Sequence, residues 1–265
     1  MKKYIFMAVA GMLALSSCSN DDNDQTTQNA PRQMTFTAGF GDGATTRATL
    51  DGYSVTFDAP DYISILSENN DNVKFTTSEG GATATFTGSA TDDATYYAIY
   101  PYQDGLILLG TTIMGLEIPF DQSAAATETC GWDPAAPLAY ATNTGTSFTF
   151  HNLCALLKVT NDKTDAVDIT ILDLDNTAQM TGHVDYDIST GTLTGGVHHA
   201  VAVQGVPAGK TVYIAIAPCT VGNLMAVCLD GGGDLCKTKA SVTFEAGKIY
   251  NLGNTSTWTD PIPVP

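Results

Sequence analysis

Four histidines, six cysteines and two arginines are the side chains through which this 265-residue sequence could do chemistry. Their spacing limits what that chemistry can be. The histidines are His151, His183, His198 and His199. Neighbouring residues of a strand point to opposite faces, so His198 and His199 cannot chelate one ion as a pair. No H-E-x-x-H, C-x-x-C, G-x-S-x-G or phosphate-cradling glycine loop occurs. Asp173, Asp175 and Asn176 offer oxygens to calcium, but "DLDNTAQMTG" lacks the EF-hand glycine and terminal glutamate and reads as a solvated turn. The carboxylates are scattered, and spacing nominates no acid and base. The sequence therefore predicts no catalytic residue, no metal, no cofactor and no enzyme.

The cysteines and arginines are more informative. Lys2 and Lys3 precede an apolar run from Tyr4 to Leu15, too short for a permanent membrane span, and "LSSC" at 15–18 follows. This is the pattern of a lipoprotein export signal over residues 1–17, with Cys18 as the lipidated residue and anchor to the membrane. Residues 18–32 are polar and acidic and read as a flexible tether. Of the other five cysteines, Cys228 and Cys236 lie symmetrically about Gly232 in "CLDGGGDLC". A hairpin there would set them across from each other; a disulfide and two buried thiols remain alternatives. Both arginines, Arg32 and Arg47, lie before residue 48, and every later basic residue is lysine.

The elements that must position these residues are strands. Threonine, valine, isoleucine and aromatics alternate with Gly, Asp and Asn turns, and no segment sustains a 3.6-residue apolar period. "QMTFTAGF" from Gln33 puts Met34, Phe36, Ala38 and Phe40 on one face, a half-buried strand. A loop with Arg47 follows it. Further short runs continue to about residue 120, and an Ala-, Pro- and Thr-rich stretch at 121–146 breaks the series. A second series opens with "SFTFHNLCALLKVTN", apolar on both faces as a strand covered on two sides would be. In "TYYAIYPY", alternation splits the tyrosines between faces, which favours packing over a sugar-stacking platform. The expectation is an all-β chain with two tandem β-sandwiches, at 33–146 and 147–265. The net charge of −17 argues against a nucleic-acid partner.

In this order, the lipobox leader, the "TR" loop, "DYISILS", "YYAIYPY", "PLAYA", "FTFHNLCALLKV" and "FEAGKIYNLG" resemble the fimbrillin family. These are Mfa-like and FimA-like subunits of type V pili of Gram-negative bacteria. Phe57 stands where the family often has Trp. The resemblance implies two transthyretin-like domains, a lipoprotein exposed on the outer membrane, and cleavage by an arginine-specific protease, here between Arg47 and Ala48. Residues 33–47 would then be the removable strand and loop, with Met34, Phe36, Ala38 and Phe40 displaced. A C-terminal strand of another fimbrial subunit would replace them. The alternative is an adhesin, tip or glycan-binding lipoprotein with a host or glycan ligand. The proline-rich end, "TDPIPVP", fits poorly as an interior donor strand.

Overall fold

Alternation with a period of two governs the chain from its first strand. In β1 (Arg32–Phe40), Phe36 and Ala38 are buried while Thr35 and Thr37 are exposed. The computed structural model describes residues 30–41, 56–123, 130–229, 235–258 and 260–261. After β1 come β2 (Asp61–Ser67), β3 (Asn70–Thr77), β4 (Thr83–Ala90) and β5 (Tyr96–Tyr100). Next are β6 (Ile107–Leu109), β7 (Thr112–Ile118), β8 (Asp121–Ser123) and β9 (Cys130–Trp132), then β10 (Ala139–Asn143) and β11 (Ser147–Asn152). Seven of these close into a barrel in the order β1-β11-β10-β5-β2-β3-β4.

The rest of the chain supplies β12 (Ala155–Thr160), β13 (Val167–Asp173), β14 (Gly182–Asp187), β15 (Thr192–Gly195) and β16 (Ala200–Val206). It ends with β17 (Thr211–Ile216), β18 (Cys219–Leu229), β19 (Leu235–Phe244), β20 (Ile249–Asn254) and the short β21 (Asp260–Pro261). Together with β6, β7, β8 and β9 they form three sheets, β20-β12-β17-β9, β21-β19-β18-β13-β16-β8 and β15-β14-β7-β6. The first two face each other across an aliphatic core that includes Leu157, Val159, Ile169, Ile171, Ile214 and Trp258. On the other side of β12 and β17, Leu156, Tyr213 and Ala215 join a second core with Leu66 and Ile99 of the barrel and Ile113 and Leu116 of β7. β12 is thus buried on both faces, as its sequence requires.

Three features go beyond the sequence reading. The all-β class holds, with several sheets that include a closed seven-stranded barrel. β1 bonds to both β4 and β11, so its sheet has no free edge. The apolar run 147–161 is two strands: β11 pairs with β1 and β10, the chain turns at Leu153 and Cys154, and β12 enters the other body. The barrel therefore extends past residue 146 to Asn152. Finally, the β18–β19 register sets Cys228 opposite Leu235 and Cys236 opposite Val227. The two thiols leave the ribbon on opposite faces, Cys228 into the aliphatic core and Cys236 into a small cluster with Met225 and Val227. They are not bridged.

Candidate functional site

β1 is the stave that closes the barrel, and its pairing is non-local on both sides. It runs antiparallel to β4, with Phe36 opposite Phe86 and Ala38 opposite Ala84. Along its other edge it runs parallel to β11, with Ala38 opposite Phe148 and Phe40 opposite Phe150. The four residues expected to face inward do so. Phe36 and Ala38 are wholly buried, and Met34 and Phe40 pack against the same core at its two ends.

That core is aromatic. The Phe36 ring lies 5.4 Å from Phe75, 5.1 Å from Tyr96 and 5.0 Å from Phe148. Phe40 stacks on Phe57 at 4.9 Å and meets Phe150 at 5.7 Å. Gly88 on β4 makes this possible. A Cβ there would sit 2.5 Å from the Phe75 ring, so glycine at this position leaves that ring its place against β4. Removing β1 would uncover several aromatic faces and leave one backbone edge of β4 and of β11 without partners. Burial of each large side chain is worth about 1.5–3 kcal/mol, so a vacated groove is a strong acceptor for another strand.

The two arginines differ in setting. Arg32 begins β1 and grips Asp92 with two hydrogen bonds, Nε to Oδ2 at 2.8 Å and Nη2 to Oδ1 at 2.6 Å. The pairing raises the arginine and holds the aspartate below the usual carboxylate range. Arg47 and Ala48, like Cys18, lie outside the described residues.

Other groups do not converge on chemistry. His151 is exposed on β11, His183 pairs with Glu117 at 2.6 Å, His198 packs on Phe120 and His199 Nδ1 lies 2.6 Å from the Ala178 carbonyl. Among the described residues no cluster has the ligands for a metal. Asp173, weighed as a calcium ligand, instead accepts from the N–H groups of Asp175, Thr177 and Ala178 and from the Thr177 hydroxyl. Burial pushes its pKa up, but those donors outweigh burial and bring it to about 2. Its oxygens close the turn on itself. Of the tyrosines, Tyr96 and Tyr100 pack on the barrel core and Tyr97 on the core outside it. Tyr62 and Tyr102 flank the Lys74 ammonium, 3.8 and 4.7 Å from their ring centres, so the cation already covers those faces.

No family profile matches the sequence, and no curated protein matches it either. Its fold is similar to that of a solved structure from Bacteroides. A candidate cell adhesion protein from Bacteroides ovatus superposes with a TM-score of 0.52 at 14% identity, over 84% of this chain and 92% of that one. A second candidate cell adhesion protein, from Bacteroides fragilis, gives 0.44 at 11% identity over 82% and 89%. A fimbrial protein from Bacteroides ovatus gives 0.40 at 15% identity, over 90% of this chain and 50% of that one.

The sequence identified which face of β1 is buried. It missed β11 as the parallel partner, because that contact links residues more than 100 positions apart. The "SFTFH" alternation shows that β11 has a buried face, but not which strand it lies beside.

Proposed function

We propose that the chain is a structural subunit of a cell-surface fimbria, anchored before assembly through a lipid on Cys18. Cleavage between Arg47 and Ala48 releases β1, and a strand from the C-terminal region of a second copy fills the opened barrel. The observation that carries this reading is the position of β1. It is the first strand of the described residues, it closes the barrel by itself, and Arg47 comes seven residues after its end in sequence. A strand that pairs with β4 and β11 would replace both its hydrogen bonds and its apolar contacts, the β-augmentation mode. Head-to-tail repetition without closure gives a filament. Once residues 1–17 are gone, residues 18–47 carry four aspartates and two arginines, so the cut changes the net charge only from −19 to −17 and relief of repulsion contributes little to assembly.

The donor has a constraint. Trp258 is fully buried and its Nε1–H donates to the Leu252 carbonyl at 3.3 Å. Ser256 N–H and Oγ–H both donate to Asp162. Residues up to 258 can leave only by opening their own sandwich. Those beyond carry proline at 261, 263 and 265, alternate positions that remove donors along one edge and keep them along the other. Such a tail bonds to one wall of the barrel.

The test is cleavage. A trypsin-type protease should yield a fragment starting at Ala48 that forms ladders on gels, and Arg47→Ala should abolish both. A clipped product that stays monomeric at high concentration with residues 32–40 still bound would contradict the proposal.

A further inference from the structure

On the outer wall of the barrel a cleft of about 320 Å³ opens between β2, β3, the turn after β5 and the turn at residues 134–135. Tyr62 and Lys74 point outward there, next to the inward Ile63 and Phe75. β4 on one side, and β11, β10 and β5 on the other, separate β2 and β3 from β1. The cleft therefore lies away from the closing strand. Its volume falls in the range of about 300–1,000 Å³ usual for small-molecule sites.

Both walls are fixed by hydrogen bonds. Gln103, in the turn after β5, is held by the Glu117 backbone: its Nε2 donates to the carbonyl at 2.7 Å and its Oε1 accepts from the N–H at 2.8 Å. Its own N–H donates to Ser64 Oγ at 3.2 Å, and its carbonyl accepts from the Asn72 side chain. Tyr102 N–H donates to the Tyr62 carbonyl at 2.9 Å, and the Tyr102 hydroxyl donates to Asp104 at 3.1 Å. On the opposite wall, Asp133 accepts from the N–H groups of Ala135 and Ser123, each at 2.8 Å. A ligand meets a cleft already in shape, so little ordering opposes its binding.

Two polar groups lining the cleft have room for another partner. The Lys74 ammonium is held by the rings of Tyr62 and Tyr102, and among the described residues no carboxylate lies within ion-pair distance of it. Asp61 uses Oδ2 to accept from the Asp58 N–H at 2.9 Å and the Tyr100 hydroxyl at 3.1 Å. No described group donates to its Oδ1. Burial pushes the Asp61 pKa up, as expected of a carboxylate that has lost part of its water. The rest of the lining is apolar, with Pro101, Pro134 and Ala135.

These groups select a ligand by exclusion and by fit. A cation is kept out because Lys74 already covers the ring faces. An anion would gain at Lys74 but meet Asp61 and Asp104 in a chain of net charge −17. A peptide strand finds no edge here, since β2 bonds to β3 and β5, and β3 to β2 and β4. A neutral pyranose both accepts and donates hydrogen bonds and carries an apolar C–H face. We propose that this cleft binds one neutral sugar residue of a glycan. Lys74 donates to its hydroxyls, Asp61 Oδ1 accepts from one, and the C–H face lies on the proline rings. The site goes beyond the assembly proposed above and does not depend on it. Repeated along a filament, such sites would multiply a weak single-site affinity.

The test titrates neutral mono- and disaccharides of gluco, galacto and manno configuration onto the intact, uncleaved chain, with glucuronic acid and choline as charged controls. At least one neutral sugar should bind saturably, at about millimolar concentration, and shift the NMR signals of Lys74 and Ala135. Lys74→Met removes the donor and keeps most of the side chain, and should weaken binding about tenfold. Ala135→Arg narrows the mouth without removing a polar group and should do the same. Both positions are exposed, so the denaturation midpoint should not move in either variant. No neutral sugar bound, tighter binding of glucuronic acid or choline, or an affinity indifferent to both substitutions would overturn the proposal. So would loss of sugar binding after cleavage, because the cleft stands clear of β1. Ladders after cleavage without sugar binding would sink this inference and leave strand exchange at β1 standing. Sugar binding without ladders would do the reverse.

Discussion

The barrel and the second body solve the problem of sheet edges in opposite ways. The barrel has no edge, because β1 bridges β4 and β11, and its core is a set of touching rings around Phe36 and Phe57. The second body has open sheets among the described residues and guards them: Lys237 and Lys239 face inward on β19, and Trp258 and Asp162 pin the chain end. Its core is aliphatic, with valine and isoleucine from β12, β13, β16 and β17. Closure by one terminal strand makes a body that is sealed until that strand is lost. Guarded edges make a body that stays folded without closure. On the proposed assembly, a subunit that is stable alone and then reactive needs the first kind of weakness in one place and not throughout.

The largest effect expected from this contrast is at Phe36. Phe36→Ala removes a buried ring that touches Phe75, Tyr96 and Phe148, and should cost about 3–5 kcal/mol in chemical denaturation. Leu157→Ala in the aliphatic core should cost about 2–5 kcal/mol, so total stability alone does not separate the two. Amide exchange does. In Phe36→Ala the β1 amides should exchange well before those of β12, whereas in Leu157→Ala the protection of β1 should stay as it was. Equal loss of β1 protection in both variants would mean that the strand is not an independent closure, and the comparison would fail.

A mid-sized effect sharpens the other side. Asp173 ends β13 in the second body, and its carboxyl titrates at about 2, below the ordinary 3.8. A depressed folded pKa means that stabilisation is complete above about pH 5 and is lost as pH falls toward 2. Asp173→Asn should cost about 2 kcal/mol at pH 7 and flatten the decline in stability between pH 5 and pH 2. Exchange of the β1 amides should be unaffected by the substitution.

Sequence reasoning reached local patterns and stopped at pairing. Met34, Phe36, Ala38 and Phe40 could be assigned to one face because a strand's period is fixed by its backbone. Barrel closure could not, because β1 and β11 are far apart in sequence and parallel pairing leaves no turn to betray it. The run 147–161 looked like one two-faced strand because β11 and β12 are both apolar and only Leu153 and Cys154 separate them. Cys228 and Cys236, symmetric about Gly232, stand on opposite faces for a similar reason: one residue of register moves a side chain to the other face.

The smallest expected effect concerns the start of β1. The Arg32–Asp92 pair has good two-point geometry but both side chains are largely in solvent. Exposed pairs are screened by salt and constrain long side chains, so they add little to global stability. Arg32→Ala should therefore leave the denaturation midpoint where it is, while Phe36→Ala moves it far. Its effect should be local: faster exchange of the first amides of β1, reproduced in the unaltered chain by high salt. If Arg32→Ala instead loosens the whole strand, closure depends on its exposed end as much as on its buried rings. Release of β1 would then be set by ionic conditions at the surface, and a cut after Arg47 would not by itself be enough to control it.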